Sequence, residues 1–273
     1  MIGNELFTWS RYLLRVRMSS ATKFLLPGAD PARRAPRSTR SSSIATACFL
    51  AIVIGGVPLL RCTPAHASGW HDITLTFVRH AQSASNAAGI IDTSTPGPEL
   101  TPKGWCQAAQ SAGPLSANHY DGVYASTMVR TQETAKATAQ ALGEPVGVLA
   151  GLREIEAGDY EGQPEASART FLGAPMQWLN GDRNAQIPGS LDGDGFEARF
   201  SEAVEHIYNS GQTKPVAFSH GGAIMIWVLM NVHNPDQSLL TTSPLPNLGR
   251  VVIRGNPNDG WTLQEWNADP PPC

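Results

Sequence analysis

Residues 73–86 read Ile-Thr-Leu-Thr-Phe-Val-Arg-His-Ala-Gln-Ser-Ala-Ser-Asn, ITLTFVRHAQSASN. The first six, Ile73 to Val78, form a short apolar run rich in β-branched residues, the pattern of a buried strand. The run stops at Arg79-His80 and gives way to small and polar residues, Ala81 through Asn86. The carboxyl end of a strand is where open α/β sheets bind ligands. Arginine offers a rigid fork of donors matched to phosphate oxygens. Histidine offers a nucleophilic nitrogen near neutral pH, and small residues behind it let backbone amides approach an anion. Taken alone, the pair fits a solvated loop with a hydrogen-bonded histidine better, so the rest of the chain has to decide.

Outward from this stretch, strand and helix patterns alternate. Thr101 and Pro102 predict a helix start, cap and first position, with Cys106, Ala109 and Leu115 facing inward. Asp121–Ser126 reads as a second strand, followed by a helix from Thr127 to about Leu142 that carries Arg130 in its first turn. A helix start exposes unpaired N–H groups and partial positive charge, so an arginine there adds a second anion fork. Val146–Leu149 is a further strand. The run from Leu152 to Gly162 holds Glu154, Glu156, Asp159 and Glu161. Ala166–Asn180 reads as a helix, residues 181–195 as a loop, and Phe196–Tyr208 as a helix. Asp192 and Asp194 resemble a calcium loop only in part, since the twelfth position, Ala203, is no glutamate. Pro215–Ser219 is a buried strand that delivers His220-Gly221-Gly222 to an apolar helix, residues 223–230. Residues 247–254 and 261–266 read as a closing β-hairpin. This alternation predicts an α/β fold with a mostly parallel sheet, and both His80 and His220 at one sheet edge.

Four segments together carry a resemblance: LTFVRHAQSASN at 75–86, SxxxRTxxTA at 126–135, Leu152-x-Glu154-Ile155 followed by Gly158-x-Tyr160-Glu161-Gly162, and Ser219-His220-Gly221-Gly222. In this order they resemble the histidine phosphatase superfamily, of phosphoglycerate-mutase-like fold, with LTxxGxxQA at 100–108 as a scaffolding match. Ala81 stands where the family usually has glycine and is expected to narrow the floor of the phosphate site. The resemblance implies a three-layer α/β/α sandwich within residues 68–273, with a small helical and loop cap at about 156–195. It implies His80 as nucleophile, Glu154 as proton donor to the leaving group, and His220 as the second catalytic histidine. Arg79, Arg130, Ser83, Asn86 and Gly221 would bind the phosphate. A proton donor must hold its proton, which carboxylates at Glu156 and Asp159 favour and Arg153 opposes. The implied reaction is phosphomonoester hydrolysis through a phosphohistidine, with no cofactor and no metal. Phosphoglycerate-mutase-type transfer is less favoured because Glu-Arg-x-Tyr-Gly is missing after the glutamate. A silent binding protein of the same fold is a third reading. The partner would be a small phosphorylated substrate or a phosphoprotein.

The net charge of −3 over 273 residues hides an asymmetry. Residues 1–67 hold nine Lys and Arg against Glu5 and Asp30, so the remainder carries 11 basic and 21 acidic residues. That acidic balance argues against nucleic acid as a partner. Within 1–67, a basic stretch, the apolar run Ile44–Leu60 and Ala65-His66-Ala67 follow in the order of a secretory signal peptide cleaved after Ala67. If it is not cleaved, the same run would attach the protein to a membrane, although Gly55, Gly56 and Pro58 weaken it as a span. Arginine at position 61 disfavours lipidation of Cys62. The predicted location is therefore secreted or at the cell envelope. Of four cysteines only Cys106 and Cys273 lie beyond the leader, and no bridge between them is expected.

Overall fold

The computed structural model describes residues 70–167, 171–269 and 273, and the leader at 1–67 lies outside them. Six strands form one sheet: β1 (Ile73–Arg79), β2 (Val123–Ala125), β3 (Val146–Val148), β4 (Val216–Ser219), β5 (Arg250–Asn256) and β6 (Gly260–Asn267), in the order β3-β2-β4-β1-β5-β6. The first four are parallel; β5 runs antiparallel to β1, and β6 antiparallel to β5, completing the expected hairpin.

The alternation of β1 explains the layers. Ile73, Leu75 and Phe77 face one side; Val78 faces the other. A strand buried on both faces reads as a continuous apolar run, which is why 73–78 lacks the polar alternation of a surface strand. On the first side lie α4 (Gly173–Leu179), α5 (Gly193–Asn209) and α6 (Gly221–Asn231), with Trp178, Phe196, Phe200 and Trp227 fully enclosed. Phe200 stacks on Trp227 at 5.2 Å between ring centroids and Trp178 on Phe196 at 5.5 Å. On the other side lie α2 (Pro102–Ser116) and α3 (Val129–Leu142), packing Leu115, Ala135 and Ala139 on Val78, Val123 and Phe218. Two short helices, α1 (Ala84–Ala88) and α7 (Leu239–Thr242), sit in the connections. This is the three-layer α/β/α architecture expected from the sequence.

Several local expectations are corrected. Of the helix foreseen over Ala166–Asn180, a 3-10 turn at Glu165–Ser167 and α4 from Gly173 are described, and residues 168–170 lie outside the described residues. The helix foreseen from Phe196 starts three residues earlier, because Asp192 accepts a hydrogen bond from the Gly195 N–H at 2.8 Å and caps it. In α2 the inward residues are Gly104, Gln107, Ala108 and, as expected, Leu115, whereas Cys106 and Ala109 face out.

Cys106 instead joins Cys273 in a disulfide that closes a separation of 167 residues. The chain end reaches α2 because β6 is the last strand of the sheet, an arrangement that spacing alone does not reveal. A cross-link over so long a loop removes much entropy from the unfolded chain. Cys273→Ser should lower stability by about 2–4 kcal/mol, read from urea denaturation with and without reductant.

Among the described residues no helix is long and apolar enough to cross a membrane.

Candidate active site

β1 and β4 are neighbours in register, Arg79 opposite Ser219. The residues that follow each strand, His80 and His220, therefore emerge side by side, with ring centroids 5.1 Å apart. His80 is 4% exposed and His220 is fully buried.

The tautomer of His80 follows from its partners. Nδ1 lies 2.7 Å from the Ala81 carbonyl, which can only accept, and Nε2 receives the Nε–H of Arg130 at 3.1 Å. The proton is on Nδ1 and the lone pair is on Nε2. Burial holds His80 well below the usual histidine range, and the guanidinium groups of Arg130 and Arg79 add to this. His220 is lowered in the same way by burial, then by Arg130, His80 and Arg79. Both rings are thus neutral at pH 7. The Nε2 of His220 bonds Ser126 Oγ at 2.9 Å, whereas its Nδ1 is buried with no partner.

These shifts have a sign for stability. The unfolded chain takes up two protons near pH 6.5 that the folded protein refuses. Stability is therefore full above that pH and is lost as pH falls below it toward the depressed folded values. Melting temperatures of the ligand-free protein should be flat above about pH 6.5 and drop below it, with a shallower drop in His220→Gln.

Arg130 sits one residue into α3, as expected, and is 2% exposed. Its Nη2 donates to the Asp92 carbonyl at 3.1 Å, and its Nη1 is buried without a partner. Burial works against its charge, and the carboxylates of Glu154 and Asp92 support it. Arg79 anchors Nη1 on the Leu245 carbonyl at 2.7 Å. Glu154 is tied to the start of α6: Oε1 accepts from Ile155 N at 2.9 Å and Ala223 N at 2.6 Å, and Oε2 from Gly222 N at 3.1 Å. A Cβ at residue 222 would lie 2.9 Å from Glu154 Oε1 and would push this carboxylate from its place.

Arg79, His80, Asn86, Arg130, Glu154 and Gly221 line one cleft of about 100 Å³. His220 stands behind this wall, beside His80. Ser83 does not reach it. It is fully buried as the cap of α1, its hydroxyl accepting from Asn86 N at 3.3 Å and paired with Ser85 Oγ at 2.9 Å. Ser85 lines the cleft in its place. The cause is local: in a capping box the cap side chain turns back onto its own helix. Ala81 also departs from expectation. Its side chain packs with Leu100 and Ala108, away from the cleft, and its N–H donates to Thr134 Oγ1 at 3.0 Å. Its φ is not positive, so the position does not require glycine. The loop behind it is fixed by α2: Gln107 Oε1 accepts from Gln82 N at 2.9 Å, and a Cβ on Gly104 would fall 2.1 Å from the Gln82 carbonyl.

Sequence reading missed three supports. Asn247 Nδ2 donates to the His80 carbonyl at 2.9 Å and to Asn86 Oδ1 at 3.2 Å. Ser126 orients His220. Arg199, partly buried on α5, gives Nη1 to the carbonyls of Gly151 and Arg153 at 2.9 and 3.2 Å, and Nη2 to that of Glu154 at 3.0 Å. It also pairs with Glu156, which Arg153 shares. Arg199 thus sets the backbone from which Glu154 projects. Arg199→Met should lower kcat about 10–100-fold through misplacement of Glu154, with KM little changed, in steady-state kinetics.

The sequence model of the histidine phosphatase superfamily (branch 1) matches residues 75–269. The PE-PGRS family protein PE_PGRS11 of Mycobacterium tuberculosis is 41% identical over 215 residues, 72% of this chain and 37% of that protein. The 2-carboxy-D-arabinitol-1-phosphatase of Triticum aestivum is 31% identical over 116 residues, 42% of this chain and 23% of that enzyme. The chain therefore spans well under half the length of these two curated relatives. In fold it is similar to the native structure of a mycobacterial glucosyl-3-phosphoglycerate phosphatase, with a TM-score of 0.59 and 22% identity over 73% of this chain and 100% of that one.

Proposed function

The chain belongs to the histidine phosphatase superfamily, and on that premise we propose that it hydrolyses phosphate monoesters without a metal, through a phosphohistidine on His80. The observation that carries the reading is the state of His80: a buried neutral imidazole, proton on Nδ1, its Nε2 lone pair beside Arg130 at the cleft. Nε2 attacks phosphorus and the P–O bond to the alcohol breaks as Glu154 gives the leaving oxygen a proton. Water, deprotonated by the Glu154 carboxylate, then attacks the phosphohistidine and restores the imidazole. Arg79 and Arg130 neutralise the equatorial oxygens. The buried, unpartnered Nη1 of Arg130 suits the same oxygens, and His220, fully buried at 5.1 Å from the His80 ring, backs the nucleophile. Because His80 stays unprotonated well below its usual range, the nucleophile remains available in acid, which supports an acid-type phosphatase.

The test is phosphate release from p-nitrophenyl phosphate between pH 4 and 8 in EDTA. Turnover that survives the chelator supports the reading; turnover abolished by it, or none at any pH, overturns it. With 3-phosphoglycerate, free phosphate supports hydrolysis, and 2-phosphoglycerate would indicate mutase transfer.

The protein is further proposed to act outside the cytoplasm, with residues 1–67 removed or serving as a membrane anchor. The signal-like order of those residues supports this. So does the Cys106–Cys273 disulfide, since such bonds persist in oxidising compartments. Mature protein beginning at Ser68 in an extracellular fraction would support cleavage; full-length protein retained in the cytosol would overturn export.

A further inference from the structure

The two peptide groups that follow His80 are each held at both ends. In the His80–Ala81 peptide the carbonyl accepts from Asn247 Nδ2 at 2.9 Å, and the N–H donates to Thr134 Oγ1 at 3.0 Å. In the Ala81–Gln82 peptide the carbonyl lies 2.7 Å from His80 Nδ1, and the N–H donates to Gln107 Oε1 at 2.9 Å. Three separate elements supply these grips: Gln107 comes from α2, Thr134 from α3 and Asn247 from the segment before β5. Gln107 and Thr134 are buried, and so is Ala81, its side chain packed with Leu100 and Ala108.

The directions of the bonds are fixed. The Thr134 hydroxyl has one proton, which goes to the Arg130 carbonyl at 2.6 Å, a group that can only accept. Its lone pair is then left for the Ala81 N–H. Arg130 in turn sends its Nε–H to His80 Nε2 at 3.1 Å. A closed circuit results, running from the imidazole through Ala81 and Thr134 to Arg130 and back to the imidazole.

Resting on the phosphatase reading, we propose that Thr134 and Gln107 are positioning residues for the nucleophile: they clamp the Ala81 main chain so that its carbonyl stays on His80 Nδ1 and the lone pair stays on Nε2. The Nε2 lone pair cannot accept from Arg130 and bond phosphorus at once. At the moment of attack, therefore, the Ala81 carbonyl alone decides the tautomer. As the bond to phosphorus forms, positive charge develops on the ring while the proton stays on Nδ1, and its bond to the carbonyl becomes charge-assisted. That gain is larger in the transition state than in the ground state, so the clamp acts on kcat rather than on KM. A carbonyl free to turn would lose this alignment, and a misplacement of about 1 Å can cost on the order of 10²-fold.

Thr134→Val keeps the shape and removes the grip, whereas Thr134→Ser keeps the grip. Gln107→Met removes the second grip from the other helix and carries the same test should Thr134→Val fail to fold. In the full chain, Thr134→Val and Gln107→Met should each lower kcat for p-nitrophenyl phosphate about 10–100-fold with KM little changed, and Thr134→Ser should recover most of the rate. Nitrogen NMR of the His80 ring at neutral pH, assigned by its loss in His80→Ala, reads the tautomer without turnover. The wild type should show the proton on Nδ1, and Thr134→Val and Gln107→Met a shift toward the average of the two tautomers. Wild-type kcat in Thr134→Val or Gln107→Met, a serine variant as slow as the valine one, or ring signals identical to those of the wild type would overturn the proposal and leave the phosphatase reading standing. If the wild type releases no phosphate, the phosphatase reading falls and the ring signals alone decide the clamp.

Discussion

His80→Ala should lower the proposed phosphatase activity by on the order of 10⁴-fold or more in kcat/KM, the scale on which removal of a covalent nucleophile acts. No neighbour replaces it. His220 is neutral, but its Nε2 is engaged with Ser126 and it lies behind the cleft wall. Water attack on a bound monoester would still gain from Arg79 and Arg130, so the residual rate measures the electrostatic share of catalysis. Quenching in mid-turnover should trap a phosphoenzyme in the wild type, labile to acid as phosphoramidates are, and none in the variant. A variant that retains more than a few per cent of the wild-type rate would show that His80 is not the nucleophile. The folded state survives the change: alanine keeps the helix and strand contacts, and the lost bond to the Ala81 carbonyl is offset by removal of a histidine forced to stay neutral.

Arg130→Gln should cost about 10²–10³-fold in kcat/KM, the range for deleting one preorganised donor to a developing anion. Arg130 has three separate tasks. Its Nε–H orients His80 Nε2, its Nη2 is held by the Asp92 carbonyl, and its Nη1 is buried with no partner in the ligand-free protein. Glutamine can reach one of these at most. Lysine restores charge but not the fork, so Arg130→Lys should recover only part of the loss. Competitive inhibition by inorganic phosphate should weaken in parallel in steady-state assays. If phosphate inhibits the glutamine variant as well as it does the wild type, the guanidinium is not part of the anion site.

Much of the frame was legible because the information was local. The apolar run before Arg79 identifies a strand buried on both faces, and Thr101-Pro102 marks a helix start without reference to anything distant. His80, Arg130 and His220 each sit where a strand ends or a helix begins, and the sheet brings those points together. Arg199 was invisible because its partners are main-chain carbonyls 45 to 48 residues away, and a carbonyl has no sequence signature. Ser83 differs for the opposite reason: it caps α1 and does not line the cleft. Its spacing suits a phosphate donor and a helix cap equally, and only the φ/ψ of the turn, with the hydroxyl folded back on Asn86 N, separates the two. The disulfide was missed because the closing hairpin alone brings Cys273 back to α2.

The sheet order also bears on how the chain acquires activity as it is made. β4 lies between β1 and β2, and β5 lies on the other flank of β1. When β1 leaves the ribosome neither of its neighbours exists, and the first, Val216–Ser219, is synthesised more than a hundred residues later. Pairings this distant form late and slowly, and until then the edges of β1 stay open to wrong partners. Arg79 and His80 accordingly have no catalytic surroundings in any N-terminal fragment. The cleft is complete only when β4 has entered between β1 and β2 and the segment carrying Leu245 and Asn247 has closed on Arg79 and His80.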